Sequence, residues 1–229
     1  MSKEPKMPDF YDQRSIIADA ELFASRLMQN HDSGHNWWHI DRVRRLSLYI
    51  NSCENLADPF AVELAALFHD LGDHKFDDGS SDPARDIRSF AEQRGLPEEM
   101  IAELIDVNQN ISFSKGSIKE KNNILKIVQD ADRMDAIGAI GIARAFTYGG
   151  YKGSEIYKPK GTSVSHGIPA GSESTTIDHF YEKLLKLKDL MNTETGKRVA
   201  ERRHEYMEEF LSQFYTEFNC FVSNKNIEE

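Results

Sequence analysis

Positive charge is scarce in this chain. Lys and Arg number 28 against 38 Asp and Glu, a formal net charge of -10. A protein that coats nucleic acid needs a dominant basic face to release counterions, so that class is excluded. A small phosphorylated ligand would need local lysines, local arginines or a metal to attract it against the field of the whole molecule. Cysteine is scarce too: Cys53 and Cys220 stand far apart and in no CxxC pattern, which leaves no disulfide framework. No apolar run reaches the ~18–20 residues of a membrane span. The segment MSKEPKMPDFYDQ has no apolar signal-peptide core, so a reducing cytoplasm is the expected setting. A GxxxxGK[ST] loop is missing, which excludes a P-loop enzyme. Also missing are an internal repeat and any β-branched run with period-two alternation.

What is present is helical periodicity. The 229 residues are 39% hydrophobic and 29% charged, enough to bury roughly 70–75% of the unfolded surface. Ile16, Ala20, Phe23, Ala24 and Leu27 recur at helical spacing, as do Ile40, Val43, Leu46 and Ile50. Asp58-Pro59 and Asp82-Pro83 read as helix openings, with Gly72 and Gly95 as their ends. Met100, Ile101, Leu104 and Ile105 form a further stripe, and one long stretch runs from about Asn122 to Phe146. Two more helices follow, one with Ile177, Phe180, Tyr181, Leu184 and Met191, the other with Val199, Tyr206, Phe210, Phe214 and Phe218. The expectation is one all-α domain over residues 1–229 with about eight helices. The stretch at about 149–173 breaks the pattern with six of 14 glycines and with Lys152, Lys158 and Lys160. It reads either as a soluble connection or as a basic lid over an anionic substrate.

The residues able to do chemistry bunch. His31-Asp32-Ser33-Gly34-His35-Asn36-Trp37-Trp38-His39 opens a helix, with His39 in line with Val43 and Leu46. His69 and Asp70 fall in the last turn of the Pro59 helix, directly after Leu64-Ala65-Ala66-Leu67-Phe68. Burying a carboxylate there is costly unless a cation or strong donors compensate. Asp132 lies four residues after Val128 and eight after Ile124, on an apolar stripe. Two imidazoles and two carboxylates from three helices make a mixed N/O set that suits Mn²⁺, Fe²⁺, Zn²⁺ or, less well, Mg²⁺. Each also has a bland reading: satisfied core histidines, and an interior Asp paired with Arg42 or Arg144.

These residues resemble the H…HD…D signature of the HD-domain superfamily of metal-dependent phosphohydrolases. The segment from His35 to Val43 resembles the HDxxHxxRV start of one bacterial subgroup, with Asn36 in place of its usual Asp. Asp130 to Gly141 resembles that subgroup's DADRLDAIGAIG segment, and His179 to Leu185 its HFYEKLL run. The resemblance extends from about residue 15 to 218. It implies an all-α fold and a divalent metal on His39, His69, Asp70 and Asp132, Mn most readily, with Mg, Fe, Zn, Ni or Co as others. It also implies hydrolysis of a phosphoester or phosphoanhydride, in its sharpest form (deoxy)nucleoside triphosphates to monophosphate and pyrophosphate. Asp73, three residues past Asp70, matches an acidic position that some members use in catalysis, beside Asp70 itself.

Further assignments follow from residue chemistry. His35, Arg42, His74, Lys75 and Lys152 are candidate phosphate ligands; Arg42 could instead neutralise Asp70 or Asp32. Trp37, Trp38, Phe180 and Tyr181 read as packing residues, and Arg202-Arg203-His204 as a solvated face. Gly138 and Gly141 read as sites of close helix packing. The partner expected is a phosphorylated small molecule, a nucleotide first, with no membrane; a homodimer stays open. The alternatives are an HD-type phosphodiesterase or 5'-nucleotidase and, from another class, a metal-stabilised regulatory or binding module. A di-iron oxygenase needs more histidines between His69 and Asp132 than the single His74.

Overall fold

The computed structural model describes residues 10–27, 36–72, 82–111, 122–159 and 174–219. Among them every regular element is helical: α1 (Phe10–Leu27), α2 (Trp37–Glu54), α3 (Pro59–Phe68), α4 (Pro83–Glu92), α5 (Glu98–Asn110), α6 (Asn123–Asp135), α7 (Gly138–Lys152), α8 (Thr176–Glu182), a 3-10 helix (Leu184–Leu190) and α9 (Glu194–Phe218). The all-α expectation holds. No described helix is long and apolar enough to cross a membrane. The chain forms two compact units, one of the described residues up to Arg133 with Asn192–Gly196, the other of Met134–Met191 with the described residues from Lys197 on.

In the first unit α3 is the central element. Asp58 caps it through Phe60 N, Pro59 opens it, and Phe60, Ala61, Val62 and Leu64 through Phe68 are all buried. A helix apolar on nearly every side must be surrounded, and α1, α2 and α5 pack on it. Phe68 meets Phe23 of α1 and Phe90 of α4 edge-on, at ring-centroid distances of 5.9 and 5.2 Å. Arg44 of α2 ties two neighbours together, with Glu21 of α1 at 2.6 Å and Glu63 of α3 at 2.5 Å.

The last piece of the first unit arrives from far along the chain. Asp130 of α6 is fully buried. Its carboxylate accepts from Asn192 N and Nδ2, both at 2.8 Å, and from Thr193 N and Oγ1 at 2.7 and 2.8 Å. Those four donors offset the cost of burying the charge. Gly196 lies so close that a Cβ there would stand 2.4 Å from Asp130 Oδ2.

In the second unit α7 and α8 pack together, and the rings of Phe146, Phe180 and Phe210 cluster with centroids within 6.1 Å of one another, Phe180 stacked on Phe210. A capping box between Thr175 and Asp178 starts α8. Asp135, nearly fully buried, pairs with Arg144 at 2.7 Å.

Several expectations are corrected. The stretch from Asn122 to Phe146 is two helices, because Gly138 adopts a φ of 74° that L side chains rarely take. A Cβ on Gly138 would also meet the Arg203 side chain at 3.0 Å. Arg203 is therefore no solvated residue: it donates to Met134 O, and burial pulls its pKa down against the opposing charge of Asp135. His204 beside it is buried as well. Gly149 and Gly150 belong to α7, which ends at Gly153 with a φ of 69°; Gly149 is buried where a Cβ would strike Thr176. The glycine-rich connection thus starts after Lys152, and residues 160–173 lie outside the described ones. Trp38 and Tyr181, expected to be packing residues, are 63% and 47% exposed. Tyr206, set on an apolar stripe, is exposed too.

The Asp130 network yields a stability prediction. Asp130→Ala leaves four donors of residues 192–193 facing an apolar methyl. It should lower the unfolding free energy by about 3–5 kcal/mol, the cost of breaking a buried charge network. Urea denaturation followed by circular dichroism measures it; a loss within about 0.5 kcal/mol would show the network to be dispensable.

Candidate metal centre

His39 is the third residue of α2. Asn36 precedes the helix in extended conformation, and its Oδ1 accepts from Trp38 N at 3.1 Å and His39 N at 3.3 Å. Asn and Asp cap helices about equally well, so the replacement of the subgroup's Asp leaves the start of α2 intact. The same bonds occupy Oδ1, and they leave Asn36 a cap. From that start, the periodicity of α2 turns His39, Ile40, Val43, Ser47 and Ile50 inward, and His39 is fully buried.

His69 and Asp70 follow α3 immediately. They sit in the turn after Phe68 instead of the helix's last turn, although His69 keeps helical dihedrals. His69 Nδ1 lies 2.7 Å from Ala66 O. A carbonyl can only accept, so Nδ1 carries a proton and Nε2 is the ring nitrogen left to serve as a ligand. That Nε2 points at His39 Nε2, 3.3 Å away, with the rings edge to face. His39 Nε2 also lies 3.9 Å from Asp70 Oδ2 and 3.4 Å from Asp132 Oδ1.

The ligand atoms of His39, His69 and Asp70 all lie within 4.8 Å of one another. Asp132 of α6 joins on the His39 side. The Asp70 side chain is 11% exposed and that of Asp132 33%, so Asp132, expected on an apolar stripe, stands at its edge. This donor set fits a divalent cation. Two Nε2 atoms 3.3 Å apart are closer than twice a ~2.1 Å metal–nitrogen bond, as two ligands of one ion must be. The His69 Nδ1–H bond to a carbonyl is the outer contact that metal-bound imidazoles ordinarily make. Arg133, next to Asp132, is partly buried; burial lowers its pKa, opposed by the charges of Asp130 and Asp132.

Of the other predicted site residues, Arg42 lies half-buried one turn after His39 in α2. Lys152 lies in the second unit, its Nζ 5.6 Å from the ring centroids of both Tyr148 and Tyr151. His35, Asp73, His74 and Lys75 fall outside the described residues.

One residue near the centre has no counterpart in the sequence reading. Asn108 of α5 donates its amide to the carbonyls of Phe68, His69 and Leu71 at 2.9, 3.3 and 3.0 Å. The signal available was faint: Asn108-Gln109-Asn110 puts three amide side chains in the last turn of a helix, where Asn is a poor helix former.

The chain has clear relatives. A family model described as HD domain matches residues 37–137, a span that contains all four candidate ligands. The Bacillus subtilis protein YpgQ is 40% identical over 190 residues, 82% of this chain and 86% of that one. The crystal structure of YpgQ in complex with ADP superposes with a TM-score of 0.72 at 36% identity, covering 88% of this chain and 97% of the other. A Bacillus thuringiensis structure described as an HD-superfamily hydrolase gives 0.70 at 36% identity, covering 90% and 98%. With a domain model spanning its histidine–aspartate cluster and relatives matched over most of their length, the chain belongs to the HD-domain superfamily of hydrolases.

Proposed function

We propose that the protein is a metal-dependent nucleotide phosphohydrolase that splits nucleoside or deoxynucleoside triphosphates into monophosphate and pyrophosphate. The observation that carries this reading is the meeting of His39 and His69 Nε2 at 3.3 Å beside the carboxylates of Asp70 and Asp132. Two carboxylates and two imidazole nitrogens suit a divalent ion, and the balance of nitrogen and oxygen donors favours Mn²⁺. When bound, such an ion polarises a phosphoryl oxygen and lowers the pKa of a coordinated water.

The chain's own residues supply the rest. His69 is held in one tautomer by Ala66 O, and the Asn36 cap fixes the start of the helix that carries His39. Asp132 is more exposed than His39 or Asp70, which suits a site that substrate enters from its side. Asp73 is assigned to orient the attacking water or shuttle its proton, with Asp70 as its neighbour in the chain. His35, Arg42, His74, Lys75 and Lys152 are assigned to the phosphates. Such local cations matter because the chain as a whole, at -10, repels its substrate. The presence of ADP in the YpgQ crystal supports a nucleotide over other phosphoesters.

Turnover, metal-binding and KM measurements check the proposal. Protein stripped of metal, reloaded with Mn²⁺ and offered each NTP and dNTP should release monophosphate and pyrophosphate, resolved by ion exchange. His69→Ala should lose at least about a hundredfold in turnover, since even outer contacts to metal ligands are worth 10–100-fold. Release of single phosphates would instead indicate a phosphatase of the nucleotidase type, and no turnover at all a binding module. Asp73→Ala should abolish turnover while Mn²⁺ stays bound; full activity would remove Asp73 from the mechanism. Replacing Lys152, Lys158 and Lys160 together by Ala should raise KM, and an unchanged KM would exclude them from phosphate binding.

A further inference from the structure

Asn108 carries an inference of its own. A helix leaves its last carbonyls without intrahelical partners, and in α3 these lie at the edge of the buried centre. His69 Nδ1 serves Ala66 O, and Leu71 N reaches Phe68 O at 3.3 Å. Three of these carbonyls share one amide. Asn108 Nδ2 faces Phe68 O, His69 O and Leu71 O together, bracketing the two residues that bear the ligand atoms. Just beyond, Gly72 turns the chain away with a φ of 71°.

The helix that carries Asn108 is itself tied to the helix that carries Asp132. Gln129 Nε2 of α6 donates to Asn110 O at 2.9 Å, and Gln129 Oε1 lies 3.4 Å from Asn192 Nδ2. Asn192 in turn is held by Asp130. The His69–Asp70 turn and Asp132 are thus both referenced to α5. A turn lacks the repeating backbone bonds of a helix, so the three bonds of Asn108 help to set where His69 and Asp70 stand.

We propose that Asn108 is a positioning residue of the metal centre, its amide clamping the His69–Asp70 turn in ligating geometry and thereby setting the affinity for the ion. This rests on reading His39, His69, Asp70 and Asp132 as a metal centre. A side chain that only stabilised the fold would affect melting and leave the affinity of the folded protein unchanged.

The test uses Mn²⁺ alone as probe, titrated into metal-stripped full-length protein and followed by the electron paramagnetic resonance of free ion. Melting temperatures are recorded alongside. Asn108→Leu removes both N–H groups at similar volume; Asn108→Ala leaves room for water to serve the carbonyls, so that one of the two folds. Ile101→Val, a buried trim on the same helix, is the stability control. Either Asn108 variant should bind Mn²⁺ about 10–100-fold more weakly, the range for outer contacts of metal ligands. Ile101→Val should keep wild-type affinity despite a lower melting temperature. Folded Asn108 variants with wild-type affinity would overturn the proposal, as would an equal loss in Ile101→Val. If the wild-type protein binds no Mn²⁺, Fe²⁺, Zn²⁺, Co²⁺, Ni²⁺ or Mg²⁺, the metal centre itself is wrong, and Asn108 with it.

Discussion

The first unit is organised by the cost of ending an apolar helix inside the protein. Helix α3 is enclosed along nearly its whole length, so its final carbonyls and the polar turn after it cannot turn to water. Unpaired, each such group costs about 1–3 kcal/mol. The solution is one local donor and one from another helix: an imidazole from within the turn and an amide from α5. The same bonds that cap the helix also leave two imidazole nitrogens facing each other beside carboxylates. Helix termination and ligand geometry are one arrangement.

A second buried charge follows the same logic. Asp130 is satisfied by backbone and side-chain donors from residues 192–193, with the Arg133 guanidinium standing at 4.0 Å. Asp132, two residues on, faces a different direction and meets His39. Two carboxylates on one turn of α6 thus have opposite fates, one locked into the fold and one left at the edge of the centre.

Much of this was legible in the sequence, for particular reasons. Helical spacing marks the buried stripe of α2 and so turns His39 inward, and Pro59 with Asp58 marks where α3 begins. Residue chemistry offers His39, His69-Asp70 and Asp132 as one possible N/O set beside a bland reading, and the resemblance to a family is what points to a metal there, since no short spacing links residues 39 and 132. Faces at helix ends were harder. Trp38 and Tyr181 are large and apolar, yet their positions at the first turn or the end of a short helix leave them half outside. Arg203 looked solvated because three polar residues stand in a row, but the missing side chain of Gly138 makes room for it. Asn108 leaves only a faint signal because its partners are backbone carbonyls 37–40 residues away, and a carbonyl leaves no mark in a sequence.

The clasp around Asp130 also bears on how the chain is made. Its partners lie 62 and 63 residues downstream, so during synthesis α6 leaves the ribosome well before the donors that complete it. At about 5–20 residues per second the delay lasts several seconds. Until then the first unit carries the Asp130 carboxyl group with its donors still untranslated, and its closure waits on the intervening stretch of chain. The order of translation thus makes the segment Asn192–Gly196 a late keystone, and a chain released before it would hold the histidine cluster on an unfinished frame.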